Sequence, residues 1–487
     1  MTRFRYFEHF RRMGQGFIPA LALMLLSGCA VGPDYQRPEA TIIPDAFVGT
    51  GNDWKIATPK AHIPRGNWWE IFGDPELNQL ETDAMAANQD LKVAVSRFAQ
   101  ARAVANVAES ALFPRLGVSV QQVDQRDSKH RPVGGRPDQT YDTLTVPFDF
   151  SYEIDLWGRV KRLVEAATAQ AQASADDVES IKLALQAEVA ANFITLRTLD
   201  ADKALVLSSI DVYRKSLELV RNRRAGGMIS DLDVAQAETV LKTAEAQIPN
   251  ITNQRAKYQN ALAVLTGKPA SLFQLPDRPL DILPLVIPAG LPSELLERRP
   301  DIAAAERRMA ASNANIGVAT AAFFPTVKLS GIAGFQSGGL DMLFDWPSRF
   351  WAVGPSLTLP LFQGGQLNAT LRQTKAVYEE NVAKYRQTVL SAFAEVENNL
   401  AAEHLLADEF QKVLGALQSV RRQQEIAGNR YASGIATYLE VATAQNAALG
   451  IERSSVRLRG QQLVSVAALI KSLGGGWQAP DMGDESS

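Results

Sequence analysis

The chain has 487 residues, of which 46% are hydrophobic and 21% charged, and its 50 Lys and Arg against 53 Asp and Glu give a formal net charge of -3. This composition supports a sizeable folded core, and the near-neutral charge argues against nucleic-acid binding through a broad cationic face. A single cysteine excludes an intrachain disulfide framework and thiolate metal clusters, and 4 scattered histidines give no support to a metal centre.

The amino terminus has the layout of a bacterial lipoprotein signal. Arginines open residues 1–28, an apolar stretch from Phe17 to Leu26 follows, and Ser27-Gly28 precedes Cys29. This stretch is too short to span about 30 Å of hydrocarbon as a helix. We therefore predict a cleaved signal peptide, lipidation of Cys29 and an anchored extension over residues 29–75. An ordinary signal peptide with an incidental cysteine is the alternative.

Self-comparison of the sequence indicates a tandem repeat. Asp90-Leu91 and Phe113-Pro114 recur as Asp301-Ile302 and Phe324-Pro325, 211 residues later. A glycine-containing segment that begins at Ala225 recurs at an offset of 207 residues. Because the matched features keep the same order in both copies, an internal duplication explains them better than chance similarity between alanine-rich helices.

The repeat divides the mature chain. We predict repeat 1 over residues 76–267 and repeat 2 over residues 292–475, each with a helix, a β-hairpin and a long helical hairpin. Prolines recur from Pro269 to Pro292 and cannot continue a helix, so residues 268–291 are predicted to be a connector. Residues 476–487 are predicted to be a flexible tail.

Each repeat contains a segment that alternates with the period of a β-strand. From Leu144 to Leu156 every second residue is apolar, and the residues between them include three carboxylates. The segment from Trp351 to Leu361 repeats this pattern, and weaker alternation precedes the two segments at Leu116–Val120 and Val327–Leu329. Each repeat is thus predicted to supply a β-hairpin whose apolar face suits a membrane. A small sandwich that buries this face on protein is the alternative.

If these strands cross a membrane, the chain must oligomerise. Four strands cannot close a barrel, and an open edge in lipid would leave backbone groups unpaired at several kcal/mol each. The smallest transmembrane barrels have about eight strands. At least two copies of the chain are therefore required.

Two segments have the composition of unusually long helices. Residues 159–224 and 366–430 contain no proline and are dominated by Ala, Leu, Glu, Gln, Lys and Arg. About 65 residues would extend roughly 100 Å as one helix. Ile229–Leu265 and Ala436–Leu473 are predicted to pack along them as the second helices of two hairpins. A soluble coiled-coil rod would contain the same helices.

Four spaced motifs carry a family resemblance, namely Cys29–Tyr35, Trp68–Leu77, Tyr152–Arg159 and Arg298–Ile302. They are similar to an anchor segment, a double tryptophan before Asp-Pro-Glu-Leu, a strand-to-helix junction and a helix start of the outer-membrane factors. The chain resembles this family, which is related to TolC, and within it the NodT-type efflux lipoproteins.

The resemblance implies a mixed α and β membrane protein. In this arrangement a homotrimer forms a 12-stranded transmembrane β-barrel, four strands from each chain, continuous with a long periplasmic α-helical barrel. The implied location is the outer membrane of a Gram-negative bacterium, with anchoring through Cys29 and extension into the periplasm. The implied role is that of exit duct in a tripartite efflux system for drugs or other small toxic solutes. The implied partners are a periplasmic adaptor (membrane fusion) protein, an inner-membrane pump of the resistance-nodulation-division type and outer-membrane lipid.

The same resemblance assigns roles at the tips of the helical hairpins. Gly227-Met228-Ile229 and Gly434-Ile435-Ala436 match the periplasmic mouth, where an adaptor engages. Just beyond the tips, Glu440 matches the constriction ring, while Asp233 is expected to accept a hydrogen bond from Tyr431. A better-known relative has an arginine where Ala436 stands, so the family's salt-bridge lock is not expected in the same form. Ordinary solvated helix carboxylates are the alternative.

Other functions stay open to different degrees. The sequence has no phosphate-binding loop, nucleophile elbow or His-Glu-x-x-His motif, so no enzyme, catalytic residue, metal or cofactor is predicted. Related ducts also serve type I protein or peptide secretion and metal-cation efflux, which remain alternatives. From a different class, a structural periplasmic coiled-coil lipoprotein would lack membrane-spanning strands.

Overall fold

The computed structural model describes residues 30–38, 66–126, 128, 140–280 and 299–475. The predicted signal peptide, Cys29, much of the anchored extension, part of the connector and the predicted tail lie outside these residues. Two compact units are present, and each draws on both repeats. The described residues of the first unit are 30–38, 98–126, 128, 140–174 and 305–385, and those of the second are 66–97, 175–280, 299–304 and 386–475. None of the described helices is long and apolar enough to cross a membrane.

The first unit contains an antiparallel sheet built from both predicted hairpins. Its strands are β1 (Arg115–Val118), β2 (Gln121–Arg126), β3 (Thr140–Ile154), β4 (Thr326–Ser337) and β5 (Arg349–Thr358). Because β1 and β2 pair with successive parts of β3, they act as one interrupted strand, and the sheet is four strands wide. β3 also pairs with β4, which joins the two hairpins. The predicted strands extend too far at one end, since Leu156 lies beyond β3 and Leu359 and Leu361 lie beyond β5.

Both long helices and their partners are present. The helices are α1 (Pro75–Ala87), α2 (Gln89–Glu109), α3 (Arg159–Ala225), α4 (Asp231–Glu245), α5 (Gln247–Leu265), α6 (Pro300–Ala321), α7 (Gln366–Ala432) and α8 (Tyr438–Ser472). The single helix predicted from Ile229 to Leu265 is wrong, because it breaks at Ala246 into α4 and α5. Pro249 has no N–H to donate to the Glu245 carbonyl, and this missing hydrogen bond explains the break.

A compact junction links β3 to α3 and explains the Tyr152–Arg159 motif. Arg159, the first residue of α3, donates hydrogen bonds of 2.8 and 3.0 Å to the Glu153 carboxylate. Gly158 has a φ of 72°, and a Cβ at this position would lie 2.6 Å from the Cβ of Ala30. Only glycine fits this turn, both for its conformation and for the close approach.

The segment that follows Cys29 is docked against helices of the first unit. It continues the contact of Ala30 with Gly158 and runs past residues of α3, α6 and α7. Its hydrogen bonds are Val31 N–H to the Trp157 carbonyl (3.0 Å), Arg162 to Asp34 (2.6 Å), Asn313 to the Pro33 carbonyl (3.0 Å) and Arg37 to the Tyr385 hydroxyl (2.8 Å).

The second unit contains a hydrophobic cluster to which α3, α4 and α8 contribute most of the residues, together with Ile251 of α5 and Tyr431 of α7. Its members are buried side chains that recur along one face of each helix, including Val206, Ile210, Tyr213, Val220, Val240, Leu241, Tyr438, Val441 and Leu449. Gly460 of α8 shows how closely the backbones approach, because a Cβ there would lie 2.2 Å from the Thr198 Oγ1. Small residues permit such contacts between long helices.

A buried ionic network joins α1, α3 and α5 to the first part of the predicted connector. The side chain of Arg197 is 1% exposed and donates to Asp200 at 2.8 Å and to the Pro276 carbonyl at 2.7 Å. It also contacts the carboxylate of Glu76, which lies in the first turn of α1. Arg255 donates to the other Asp200 oxygen at 2.5 Å. The network thus gives each member of the Arg197–Asp200 pair a second partner of opposite charge, Glu76 for Arg197 and Arg255 for Asp200.

We expect Arg197→Ala to lower the free energy of unfolding by about 3 to 5 kcal/mol, because it leaves the Asp200 charge buried with one partner fewer. Thermal unfolding followed by circular dichroism in detergent checks this. Arg214→Ala is the matched control: Arg214 lies on the same helix and binds Asp211 at 3.0 Å, but its side chain is 61% exposed, so its loss should cost less than about 1 kcal/mol. Equal losses for the two variants would contradict a structural role for the network.

A second buried ionisable side chain, Glu81, has no compensating partner among the described residues. Glu81 of α1 is fully buried, and neither of its carboxylate oxygens has a hydrogen-bond partner among the described residues. Burial raises the pKa of Glu81 from 4.5 to about 9, so this carboxyl is protonated in the folded chain at neutral pH.

This raised pKa predicts a pH-dependent stability. Between pH 4.5 and about 9 the folded chain binds a proton at Glu81 that the unfolded chain has released, so stability falls as the pH rises, by at most about 1.4 kcal/mol per pH unit. Glu81→Gln cannot titrate and should flatten this part of the curve. Unfolding temperatures measured from pH 5.5 to 9 check the prediction, and identical pH profiles for the two proteins would contradict it.

Candidate functional site

Strand register divides the sheet residues between two faces. Phe148 pairs with Val118 and Ala333, and Phe150 pairs with Leu116 and Gly331. Directly paired residues point to the same side of a sheet, so the apolar positions of the strands combine into one apolar face. This apolar face consists of Leu116, Val118, Leu144, Val146, Phe148, Phe150, Tyr152, Ile154, Val327, Leu329, Ala333, Phe335, Trp351, Val353 and Leu357.

The apolar face is largely uncovered within the chain. Six of its large side chains are between 56% (Phe148) and 80% (Leu116) exposed. From Leu144 to Ile154, β3 rises about 34 Å, which at a tilt of about 40° gives a band about 26 Å high. This height is close to the roughly 25 Å apolar band of transmembrane barrels. The exposure contradicts the sandwich alternative, in which protein would cover this face.

The opposite face of the sheet is more polar. It carries Asp149 and Glu153 on β3. Glu153 pairs with Lys328 of β4, and Lys328 in turn pairs with Ser356 of β5. The third predicted carboxylate, Asp155, lies beyond the end of β3, where it accepts a hydrogen bond from the Lys161 N–H at 2.9 Å. One sheet therefore presents an apolar surface on one side and a polar surface on the other.

The two helical hairpins of the second unit turn in the same way. Gly227 and Gly434 have φ values of 72° and 74° and lie two residues beyond the ends of α3 and α7. In the first turn, Met228 N–H donates to the Arg223 carbonyl at 3.0 Å and Gly227 N–H to the Arg224 carbonyl at 2.9 Å. The second turn repeats both bonds, each 207 positions later. These are Schellman caps, which require a left-handed residue and favour glycine.

At equivalent positions the two turns are stabilised by different contacts, an ion pair in the first and an aromatic pair in the second. Arg224 binds Asp231 across the first turn with hydrogen bonds of 2.7 and 3.0 Å. The residues 207 positions later are Tyr431 and Tyr438, whose rings meet edge to face at a centroid distance of 5.5 Å. Both tyrosines are buried in the cluster of the second unit, whereas the Arg224 and Asp231 side chains are exposed. The second tip is therefore held to the hydrophobic cluster more firmly than the first.

Asp233 and Glu440 occupy the third position of α4 and α8, but their partners differ. Asp233 accepts hydrogen bonds from the Ser230 N–H (3.1 Å) and hydroxyl (2.9 Å), which makes a capping box at the start of α4. Glu440 lies instead 3.7 Å from the Arg430 guanidinium, and the two side chains are 47% and 50% exposed. One carboxylate is engaged in a helix cap, and the other is paired only loosely.

The expected hydrogen bond from Tyr431 to Asp233 is not formed. Ser230 supplies the donors to Asp233, and the buried Tyr431 hydroxyl has no hydrogen-bond partner among the described residues. Burial raises the pKa of Tyr431, and the guanidinium of Arg223 opposes this effect. That guanidinium lies over the Tyr431 ring, 4.8 Å from its centroid, and donates to the Tyr431 and Ala432 carbonyls at 2.9 Å each.

Sequence reasoning missed Arg223 and Arg430. They occupy equivalent positions, 207 residues apart, so the repeat offset that relates Asp233 to Glu440 could have identified both. Arg430 pairs with the Glu440 of its own hairpin, whereas Arg223 reaches across to cap the end of α7 in the other hairpin. The first arginine thus links the two hairpins, and the second pairs loosely with the candidate constriction carboxylate.

The remaining predicted tip residues divide into exposed and packed positions. Met228 and Ile435 project into solvent, and so do Leu232 and Leu439 one turn further along. Ile229 is half-buried against the hydrophobic cluster, and Ala436 is half-buried as well. The tips therefore expose a small set of apolar side chains beside the turn glycines. In the described part of the chain, no group of three His, Cys, Asp or Glu side chains is placed to hold a metal ion.

The known proteins that this chain resembles in sequence and structure belong to one class of protein. The toluene efflux pump outer membrane protein TtgF of Pseudomonas putida is 36% identical over 464 residues, which cover 93% of this chain and 95% of TtgF. The outer membrane protein VceC of Vibrio cholerae has a TM-score of 0.80 at 32% identity, covering 85% of this chain and all of VceC. The CmeC outer membrane channel of Campylobacter jejuni has a TM-score of 0.83 at 25% identity, covering 92% of this chain and 96% of CmeC.

These relatives are outer-membrane proteins, one of them from an efflux pump and another a channel. The model of the outer membrane efflux protein family matches residues 80–268 and 291–475. The chain belongs to the outer membrane efflux protein family.

Proposed function

We propose that the chain is the outer-membrane exit duct of a tripartite efflux system. The observation that carries this proposal is the exposed apolar face of the sheet, whose height matches a membrane and whose reverse side is polar. A sheet with these two faces suits contact with lipid outside and water inside. A structural coiled-coil lipoprotein would have no use for such a face. Transport through a duct needs no catalytic residue or cofactor, so an enzymatic role is not proposed.

The sheet edges support a closed oligomer. β1 and β2 form one edge of the sheet and β5 forms the other, so each edge needs a partner within lipid. Pairing of β5 with the β1–β2 edge of the next copy would close the sheet by rotational symmetry. Three chains that are four strands wide give the 12-stranded homotrimer of the family resemblance.

Glu440 is proposed to form the constriction at the periplasmic end. Three copies around a threefold axis would concentrate negative charge on the solute path and favour cations. Arg430 would partly neutralise each copy. Because this pair is about half exposed and its atoms lie 3.7 Å apart, it contributes about 1 kcal/mol or less per chain. An ion pair of this strength would stabilise the closed resting state but would break readily when an adaptor binds.

Asp233 and Tyr431 are proposed to support the gate rather than to line it. Asp233 caps α4, and the Tyr431 ring lies between Tyr438 and the Arg223 guanidinium. These contacts hold the two tips in a defined arrangement. We propose that the tip segments Gly227-Met228-Ile229 and Gly434-Ile435-Ala436 contact a periplasmic adaptor, with Met228 and Ile435 as its apolar contacts because they are exposed.

Cys29 is proposed to carry the lipid anchor. The docking of Ala30 beside Gly158, at the junction of β3 and α3, supports this proposal because it fixes the chain next to Cys29 at one end of the sheet. We expect Cys29→Ala to abolish incorporation of labelled palmitate in cells. The measurement is autoradiography of the purified protein, with Ser27→Thr as a control for expression and export. Labelling of the alanine variant at the native level would contradict lipidation at this residue.

The substrate class follows from the relatives only by analogy. TtgF is named as a component of a toluene efflux pump, and we propose export of small toxic solutes here, together with an adaptor and an inner-membrane pump of the resistance-nodulation-division type. Deletion of the gene should raise the accumulation of a hydrophobic dye and lower resistance to organic solvents and drugs. Unchanged accumulation, combined with a new defect in protein secretion or metal tolerance, would favour the type I or metal-cation alternatives.

A further inference from the structure

The loop between β4 and β5 has an unusual composition for a surface loop. Four of its large apolar side chains, Leu340, Met342, Phe344 and Trp346, are between 54% (Met342) and 78% (Leu340) exposed, whereas Leu343 is buried. Hydrogen bonds within the loop nevertheless fix its backbone. The Ser348 hydroxyl donates to the Met342 carbonyl at 2.7 Å, and the Ser348 N–H donates to the Asp345 carbonyl at 2.9 Å. Its apolar side chains are therefore displayed by an ordered segment.

Topology places this loop at the end of the sheet away from the helices. β4 begins five residues after α6 ends, and β5 ends shortly before α7 begins. The β4–β5 loop therefore shares the far end of the sheet with the paired ends of β2 and β3, Arg126 and Thr140. The residues between these strand ends, from Asp127 to Gln139, are polar and rich in charge, with Lys129, Arg131 and Arg136. The two connections differ sharply in chemistry.

Contacts show to which side the β4–β5 loop turns. Phe335 lies on the apolar face, where it pairs with Val146 and Arg349. The Phe344 ring meets the Phe335 ring edge to face, with 5.6 Å between centroids. A ring that touches Phe335 must lie on the same side of the sheet, so the loop folds toward the apolar face and not over the polar one.

The edge of the apolar face next to this loop resembles a membrane boundary. The Arg349 guanidinium lies 3.6 Å from the centre of the Trp346 ring, and arginine paired with tryptophan is typical of the headgroup level. Further along β2 and β3 the apolar side gives way to polar pairs such as Asp124 with Asp142. Arg349 and Trp346 therefore mark the level at which the apolar band ends.

We infer that the segment Gly338–Ser348 is an outer-leaflet anchor, which inserts Leu340, Met342, Phe344 and Trp346 into the lipid around the sheet. This inference rests on the proposed membrane-spanning function and adds a lipid-binding surface to it. The occupant is lipid because the loop adjoins the edge of the apolar face, through the contact of Phe344 with Phe335. Its role is to hold the sheet at a fixed depth.

Depth-dependent quenching tests this assignment on the purified full-length protein in phosphatidylcholine liposomes. An environment-sensitive fluorophore is attached to Phe344→Cys, with Val353→Cys as the reference on the apolar face and Ser128→Cys as the reference in the other loop. The native protein, whose Cys29 is expected to be blocked by lipid, sets the labelling background. The quenchers are lipids brominated near the headgroup and aqueous iodide.

We expect brominated lipid to quench the residue 344 label at least about half as strongly as the residue 353 label, and iodide to quench it far less than the residue 128 label. If the residue 344 label is quenched by iodide, or by neither quencher, while the residue 353 label is quenched by lipid, the anchor is wrong although the membrane-spanning sheet stands. The second pattern would place the loop against another copy of the chain. Failure of lipid to quench the residue 353 label would instead contradict the proposed function itself.

Discussion

Val353→Arg should abolish assembly of the protein in the outer membrane. Val353 lies on the apolar face and is well exposed within the chain, so the substitution would place a guanidinium in the hydrocarbon. Each such charge costs about 2 to 4 kcal/mol near the middle of a bilayer, and three copies in a trimer multiply the cost. Fractionation of cell membranes and gel mobility before and after heating would measure the loss.

The neighbouring residue provides a matched control. Ala352 lies on the same strand but on the opposite face, where it pairs with Ile332, which in turn pairs with Asp149. Ala352→Arg introduces the same charge next to a carboxylate on the polar face, and we expect it to assemble normally. Loss of only the Ala352→Arg protein would show that the faces are assigned the wrong way round, and equal assembly of the two variants would contradict a lipid contact at Val353.

Glu440→Ala should raise the single-channel conductance of purified trimers about twofold or more and weaken their selectivity for cations. Removal of Glu440 deletes the proposed ring of negative charge and also releases Arg430, which lies 3.7 Å from it. The released guanidinium would add positive charge near the path, which further lowers the preference for cations. Planar bilayer recordings, with reversal potentials measured in a salt gradient, give both quantities.

Asp233→Ala is the comparison that the repeat offers. Asp233 occupies the equivalent helix position, but its carboxylate caps α4 through Ser230. We expect this variant to keep the conductance and selectivity of the native protein and to destabilise the first tip by about 1 kcal/mol. If Asp233→Ala changes the currents and Glu440→Ala does not, the constriction has been assigned to the wrong repeat.

Local sequence patterns predicted β3, β5 and the long helices, but only Val327–Leu329 of β4 and no part of β2. Strand alternation identified β3 and β5 because one face of each contacts a different medium from the other, and the absence of proline identified α3 and α7. Composition alone did not predict the break at Ala246, because the helix is interrupted by a single residue, Pro249, which has no N–H for the Glu245 carbonyl. The pairing of β3 with β4 required the structure, because alternation fixes which face a residue occupies but not its neighbouring strand.

The candidate gate was only partly predictable. The turn glycines and the two carboxylates follow from the repeat, since each pair is separated by the same offset. The contacts of those carboxylates do not follow from the repeat. They depend on whether a residue with a short hydrogen-bonding side chain, such as Ser230, precedes the helix, and on the direction in which a long arginine side chain extends. Arg223 and Arg430 occupy equivalent positions yet bind different partners. Sequence equivalence therefore predicted position but not function.

The central claim is that copies of this chain form a water-filled path across a membrane. Recording currents from the purified native protein in a planar phosphatidylcholine bilayer tests it most directly. We predict discrete, long-lived channels that favour cations and whose appearance follows the amount of heat-sensitive oligomer in the sample. An intact oligomer that inserts into the bilayer but never conducts, even after Glu440→Ala, would contradict the account.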